Sequence, residues 1–182
     1  MNKQLREFLR DTVSIIVAAL ILAVIIRTFV IEGRVVPSES MYPTIQIGDR
    51  LMVNKFIYRF KEPQRGDIIV FNPPAYIKSE YDFVKRIVGL PGEKVEVKEG
   101  KVFINDQPLN EPYLSEPLNY EFGPVVVPDN DLFVMGDNRN NSYDSHLWDQ
   151  WLSSDRVIGK AFVLYWPVNH VGLLPRGVSV GK

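Results

Sequence analysis

An uncharged run near the N-terminus constrains this chain more than any other feature. From Val13 to Ile26, 14 consecutive residues carry no charge, and Ser14 is the only polar one. Extended from Thr12 through Ile31, the run is 20 residues with one charge, Arg27. About 20 residues at 1.5 Å rise span the hydrocarbon core of a bilayer. Arg27 lies near one end, where a long side chain can reach the head groups. A core helix would carry a polar stripe, which this run lacks. A cleaved signal peptide would end in small residues, whereas this run ends Ile-Arg-Thr-Phe-Val-Ile-Glu. We therefore read residues 12–31 as an uncleaved transmembrane anchor. Lys3, Arg6 and Arg10 precede it, and only Arg34 follows closely. The positive-inside rule then puts residues 1–11 in the cytoplasm and 32–182 outside it.

Composition narrows the chemistry of the rest. The 21 basic and 22 acidic residues leave no surplus to hold a phosphate backbone, so nucleic acid is not an expected partner. With no cysteine, thiol nucleophiles, disulfides and thiolate metal sites are excluded. With only two histidines, His146 and His170, a His-rich metal centre is not expected. Any catalysis must rest on Ser, Lys, Asp, Asn or Arg.

Residues 32–182 read as one mostly β domain, an antiparallel sheet with a small loop-rich β insertion at about 92–130. Apolar, β-branched runs at Arg50–Phe60, Asp67–Phe71, Phe83–Leu90, Leu132–Met135 and Val157–Trp166 predict strands, and Lys94–Ile104 predicts a hairpin around Glu-Gly. Helical periodicity is nearly absent beyond the anchor, apart from a turn at Ser153–Val157. Residues 105–130 lack strong strand signals and read as loop.

Three clusters carry candidate chemistry. In Val36-Pro37-Ser38-Glu39-Ser40-Met41-Tyr42-Pro43-Thr44, an extended backbone would point Ser38 and Ser40 to one side. The flanking prolines would stiffen the segment. In Phe83-Val84-Lys85-Arg86-Ile87-Val88, strand alternation puts Phe83, Lys85 and Ile87 on one face and Val84, Arg86 and Val88 on the other. A lysine among apolar neighbours loses its proton more readily. To act as a base near neutrality it must fall from about 10.4 by roughly 2–4 pH units. Lys55 and Lys160 sit in similar runs, and pattern alone does not choose among the three. The third cluster, Gly136 to Ser145, is dense in side chains that hold tight turns. It fits a scaffold for other groups better than a calcium loop, because the Gly and terminal Glu of such a loop are missing.

In order, PSESMYPT (37–44), GDRLMVNK (48–55), RGDIIVF (65–71), FVKRIVGLPGE (83–93) and GDNRNNSYDS (136–145) behind an N-terminal span resemble a type I signal peptidase. The resemblance runs from the anchor to about Leu174. It implies a membrane-anchored serine–lysine endopeptidase that removes signal peptides from exported preproteins after small residues, without metal or cofactor. Ser40 matches the nucleophile and Lys85 the general base. Ser38 matches an oxyanion-hole hydroxyl, alongside the backbone N–H of Ser40. Ser142 and Asp144 match residues that hold the lysine, and Asp137 and Arg139 match structural positions in the same loop. Val36, Pro37, Met41, Ile45, Phe83 and Val84 match the lining of shallow pockets for the −1 and −3 residues. Implied partners are signal peptides, the bilayer and the secretion translocon.

The chain departs from the common pattern at His146, where an arginine is usual, and at Asp149, where a glycine follows the tryptophan. We expect His146 to hydrogen-bond within its loop. The spelling GDNRNNS and DSHLW is closer to cyanobacterial and plastid members, so a thylakoid membrane stands beside the cell membrane as a location. The competing class is an inactive anchored β-domain that binds exported peptides; such a binder has no need of the Ser/Lys pair. Only nine residues separate Ile31 from Ser40, at most about 30 Å of chain, which keeps the nucleophile near the bilayer.

Overall fold

The computed structural model describes residues 3–175 and 177–180. The apolar run lies within one helix, α1 (Lys3–Phe29). Its Arg6–Thr28 stretch is long and apolar enough to cross a membrane, and none of its most apolar window is buried inside the protein. Two boundaries differ from the expected 12–31. The helix begins nine residues earlier, because i→i+4 bonding does not require apolar side chains and the polar first turns continue it. It stops before Ile31, which opens strand β1 (Ile31–Val35) and sits opposite Asn54 of β2 (Arg50–Asn54). There the ladder to β2 overrides the apolar pattern.

The remaining strands are β3 (Ile68–Phe71), β4 (Phe83–Gly89), β5 (Lys94–Lys98), β6 (Lys101–Ile104), β7 (Gln107–Asn110), β8 (Phe122–Val126), β9 (Asp131–Met135), β10 (Leu152–Ser153), β11 (Val157–Trp166), β12 (Gly172–Leu173) and β13 (Ser179–Val180). They form two antiparallel sheets. One runs β1-β2-β11-β3-β4-β9-β10 with β12 beside β11; the other runs β13-β7-β6-β5-β8. The predicted hairpin is β5–β6. Glu99 and Gly100 both take positive φ, 52° and 72°, as a two-residue turn with the strands' twist requires. The short helical turn is a 3-10 turn at Ser154–Arg156.

Two expectations are corrected. The strand at Arg50–Phe60 ends at Asn54, whose carboxamide oxygen accepts the N–H groups of Phe56 and Ile57 at 2.9 and 3.0 Å and turns the chain into a 3-10 helix. The stretch 105–130 holds β7 and β8, which local pattern misses because each has only one buried residue or none. Pairing with β6 and β5 makes them strands.

Three apolar clusters fill the domain. Val36, Met41, Ile45, Leu51, Val53, Ile68 and Val70 pack under the turn after β1, with Val84 against them. Ile69, Phe71, Ile87, Val134 and Trp148 pack on the opposite side of the central strands, with Phe83. Val88, Phe133 and Met135 meet Val95, Val97, Val102 and Ile104 of the smaller sheet. Phe133, fully buried, joins the two sheets. Truncating it as Phe133→Ala is expected to cost ~3–5 kcal/mol; urea unfolding of the solubilised chain should show this as a lowered midpoint at unchanged slope.

Candidate active site

β1 delivers the chain into a closed loop. The Val36 N–H donates to the Asp49 carbonyl and the Gly48 N–H to the Val36 carbonyl, each at 2.9 Å, and the Asp49 carboxylate accepts the Gln46 N–H at 2.8 Å. The loop interior is a series of turns rather than the extended segment that alternation suggested. The two serines still converge, with 3.3 Å between their hydroxyl oxygens. Met41 and Ile45 root the turn in the core. Ile45, expected in a pocket wall, lies behind it, fully buried beside Val36 and Met41.

Lys85 comes from β4, opposite Ile69 of β3. Its Nζ donates to the Ser40 Oγ at 2.5 Å, and the side chain is almost fully buried. The Phe83 ring lies 5.7 Å from Nζ. Burial pushes the lysine down from 10.5 to about 8, and the charges of Asp144 and Asp137 limit the fall. The other two lysines differ. Lys55 pairs with Glu32 at 3.1 Å and donates to the Thr28 carbonyl, and Lys160 pairs with the buried Asp67 at 2.6 Å. Tertiary structure thus singles out Lys85.

The segment after β9 holds this pair from below. Asp137 accepts two hydrogen bonds from the Arg86 guanidinium, at 2.8 and 2.7 Å, and one from the Thr44 hydroxyl at 2.5 Å. One carboxylate therefore ties β4 to the serine-bearing turn. Arg139 is also buried. It donates to the Gly136 carbonyl at 2.9 Å and to both oxygens of Glu111 at 2.9 and 2.6 Å, anchoring the segment to the smaller sheet. The Asn138 N–H donates to the Ser40 carbonyl at 3.0 Å. The Ser40 N–H has no acceptor among the described residues and is free for a ligand.

Asp144 is fully buried, accepts the Gly136 N–H at 2.8 Å and pairs with His146 Nδ1 at 2.7 Å. The His146 ring stacks on Tyr120 at 4.3 Å. It thus bonds within its loop, as expected, and makes no hydrogen bond to Ser40 among the described residues. The Ser142 Oγ is buried without a partner among the described residues. Gly136 is required by contact: a Cβ there would sit 2.3 Å from both the Ser142 Oγ and the Ser40 carbonyl oxygen.

A cavity of about 560 Å³ opens beside Ser40 and Lys85, lined by Val36, Pro37, Met41, Phe83, Val84 and Tyr143 among others. A second, of about 350 Å³, adjoins it along β1 and shares Pro37, Tyr81, Asp82 and Val84. Both lie between two unpaired strand edges. β1 is the last strand of its sheet, and β4 meets β9 only from Arg86 onward. Arg34 of β1 bridges to Asp82 at 2.8 Å, so the two edges face each other.

The family profile "Signal peptidase, peptidase S26" matches residues 9–166. The chain belongs to the signal peptidase family. Relatives extend over most of its length. A Synechocystis sp. protein named "Probable signal peptidase I-2" is 53% identical over 161 residues, 87% of this chain and 73% of the relative. "Signal peptidase I" of Leptolyngbya laminosa is 48% identical, covering 91% and 84%. "Thylakoidal processing peptidase 1, chloroplastic" of Arabidopsis thaliana is 40% identical, covering 84% of this chain and 47% of the relative. The cyanobacterial and plastid spelling noted in the sequence is thus borne out among signal peptidases.

Reading the signal peptidase sequence alone missed Arg86, Thr44, Asn138 and Gly136. The available signal was an arginine on the inward face of an apolar strand, which requires a buried acid as partner. Removing that acid as Asp137→Ala would leave Arg86 buried and uncompensated. It should cost about 3–5 kcal/mol in urea unfolding, whereas the exposed Asp129→Ala should leave stability within about 0.5 kcal/mol.

Proposed function

We propose that this signal peptidase cuts signal peptides from exported preproteins with Ser40 as nucleophile and Lys85 as general base. One observation carries the reading: a lysine made less basic by burial, at hydrogen-bond distance from a serine hydroxyl whose own backbone N–H is free. With a value near 8, about a tenth of the lysine is neutral at pH 7 and half at pH 8. The neutral amine takes the Ser40 proton as Oγ attacks the scissile carbonyl carbon. The oxyanion is held by the Ser40 N–H and the Ser38 hydroxyl, about 3–4 kcal/mol for one good donor. The Lys85 ammonium returns its proton to the leaving amine, and an acyl-enzyme remains. Lys85 then deprotonates a water that attacks the ester, and Ser40 recovers its proton.

The substrate enters as a strand between the open edges of β1 and β4. Counting along the antiparallel neighbours, β1 and β4 run the same way. A peptide leading from the membrane toward Ser40 runs parallel to both. Side chains two apart fall on one face. The −1 residue then lies over Val36, Met41 and Val84, and the −3 residue two positions back, over Arg34 and Asp82. The first cavity is lined by Val36, Met41, Phe83 and Val84, which suits an apolar −1 residue.

Helix α1 anchors the enzyme, with its basic N-terminal end in the cytoplasm and the catalytic domain outside or, by likeness to the plastid relative, in the thylakoid lumen. There it would meet preproteins leaving the translocon.

Ser40→Ala and Lys85→Ala should each abolish cleavage of a preprotein ending in Ala-x-Ala, assayed in lipid; His146→Ala should retain it. Cleavage at saturating water and limiting substrate should rise with pH through about 8 and fail in acid. Lys85 also bears on stability. Below pH 8 both folded and unfolded chains hold its proton, and the folded state carries the full cost of the buried charge. Between 8 and 10.5 only the unfolded chain holds the proton, so stability climbs with pH. Lys85→Met, inactive, should therefore raise unfolding stability at pH 7 by ~3 kcal/mol, a gain that shrinks toward pH 10.

A further inference from the structure

Two carboxylates act on the Lys85 amine, Asp144 and Asp137, and both help it keep its proton. They are compensated in different ways. Asp137 is paired with the Arg86 guanidinium, which stays charged at every working pH. Asp144, fully buried, has one side-chain partner among the described residues, His146 Nδ1 at 2.7 Å. Its other oxygen accepts the Gly136 N–H, and Gly136 lies against the Ser40 carbonyl. A carboxylate can only accept, so Nδ1 carries a hydrogen in both charge states of the ring, and the proton that comes and goes belongs to Nε2. One compensation is therefore permanent and the other conditional.

The imidazole is held firmly against Asp144. Its ring stacks on Tyr120 at 4.3 Å with the planes 10° apart, and the Phe122 ring stands edge-on to it at 6.4 Å. These neighbours bring one further titratable group, the Tyr120 hydroxyl, which burial pushes up and keeps neutral. Near that hydroxyl, Arg139 and Glu111 neutralise each other. Asp144 is thus the one charge bonded to the ring among the described residues. We infer that His146 is a positioning residue for the general base, acting through Asp144: when the ring takes up a proton it neutralises Asp144, and Lys85 then gives up its own proton more readily. The inference rests on the serine–lysine reading above. An imidazole ordinarily changes charge at about pH 6.5, below the range in which the lysine does. The enzyme therefore loses activity in acid less steeply than a lone lysine base would impose.

The test is the pH dependence of kcat/KM for one preprotein, cleaved in lipid between about pH 5.5 and 9 by full-length wild type, His146→Gln and His146→Arg. Glutamine offers Asp144 a neutral donor, and arginine offers a permanent cation. Coupling through one buried carboxylate should separate the two lysine titrations by ~0.7–1 pH unit. Below about pH 7, His146→Arg should then cut about five- to tenfold faster than His146→Gln at every pH, and above about pH 9 the two should converge. Wild type should follow His146→Gln near pH 8 and cross to His146→Arg as the pH falls. A purely structural role changes rates by a factor that does not vary with pH. Wild type tracking either variant throughout, or variants without an offset in acid, overturns the inference. Should His146→Arg not fold, the ratio of wild type to His146→Gln decides: a rise of about fivefold from pH 8 to 5.5 supports it, and a flat ratio overturns it. Overlapping profiles that still rise through about 8 leave the serine–lysine reading standing. Cleavage by Lys85→Ala at the wild-type rate brings down both.

Discussion

The structure depends on a buried ion pair. Arg86 and Asp137 are both almost fully shielded from water, and either alone would carry a desolvation cost of several kcal/mol. Together they close the account with further bonds: the Gly66 and Pro175 carbonyls accept from Arg86, and Thr44 donates to Asp137. Because Arg86 follows Lys85 on β4 and Thr44 lies four residues beyond Ser40, satisfying this pair brings the Lys85 amine and the Ser40 hydroxyl together. The pair acts as a gauge block between a strand and a turn that have no covalent reason to be near each other.

The same burial that assembles the site works against stability at one point. Lys85 stays in an apolar wall because the elements around it are already fixed, and its lowered basicity measures the cost. Asp144 sets a limit. Its charge keeps the lysine from falling further, and its own charge is held by the Gly136 N–H and His146. The serine turn is held from the other side, through Asn138 on the Ser40 carbonyl, and the Ser40 N–H has no acceptor among the described residues. Rigid support on one face and an open donor on the other are what an oxyanion site requires.

Unpaired strand edges usually invite aggregation. Here Arg34 of β1 and Asp82, which precedes β4, join two of them by an ion pair. β1 follows α1 after a single residue, Val30. The helix therefore leads directly into the strand that runs toward Ser40.

Much of this was legible in the sequence, and the physical reason differs case by case. The anchor was legible because an uncharged helix-length run has no alternative partner to lipid, although its ends were not, since pairing with β2 claims Ile31. Strands with continuous or alternating apolar character, such as β3, β4 and the β5–β6 hairpin, declared themselves locally. β7 and β8 did not, because nearly all their stability comes from neighbours distant in sequence. Ser40 and Lys85 stood out by ordered motifs, but composition and alternation left Lys85 level with Lys55 and Lys160. Only tertiary structure separated them, because whether a lysine keeps its charge depends on what surrounds it: Glu32 and Asp67 sit beside the other two, and an apolar wall and a hydroxyl beside Lys85.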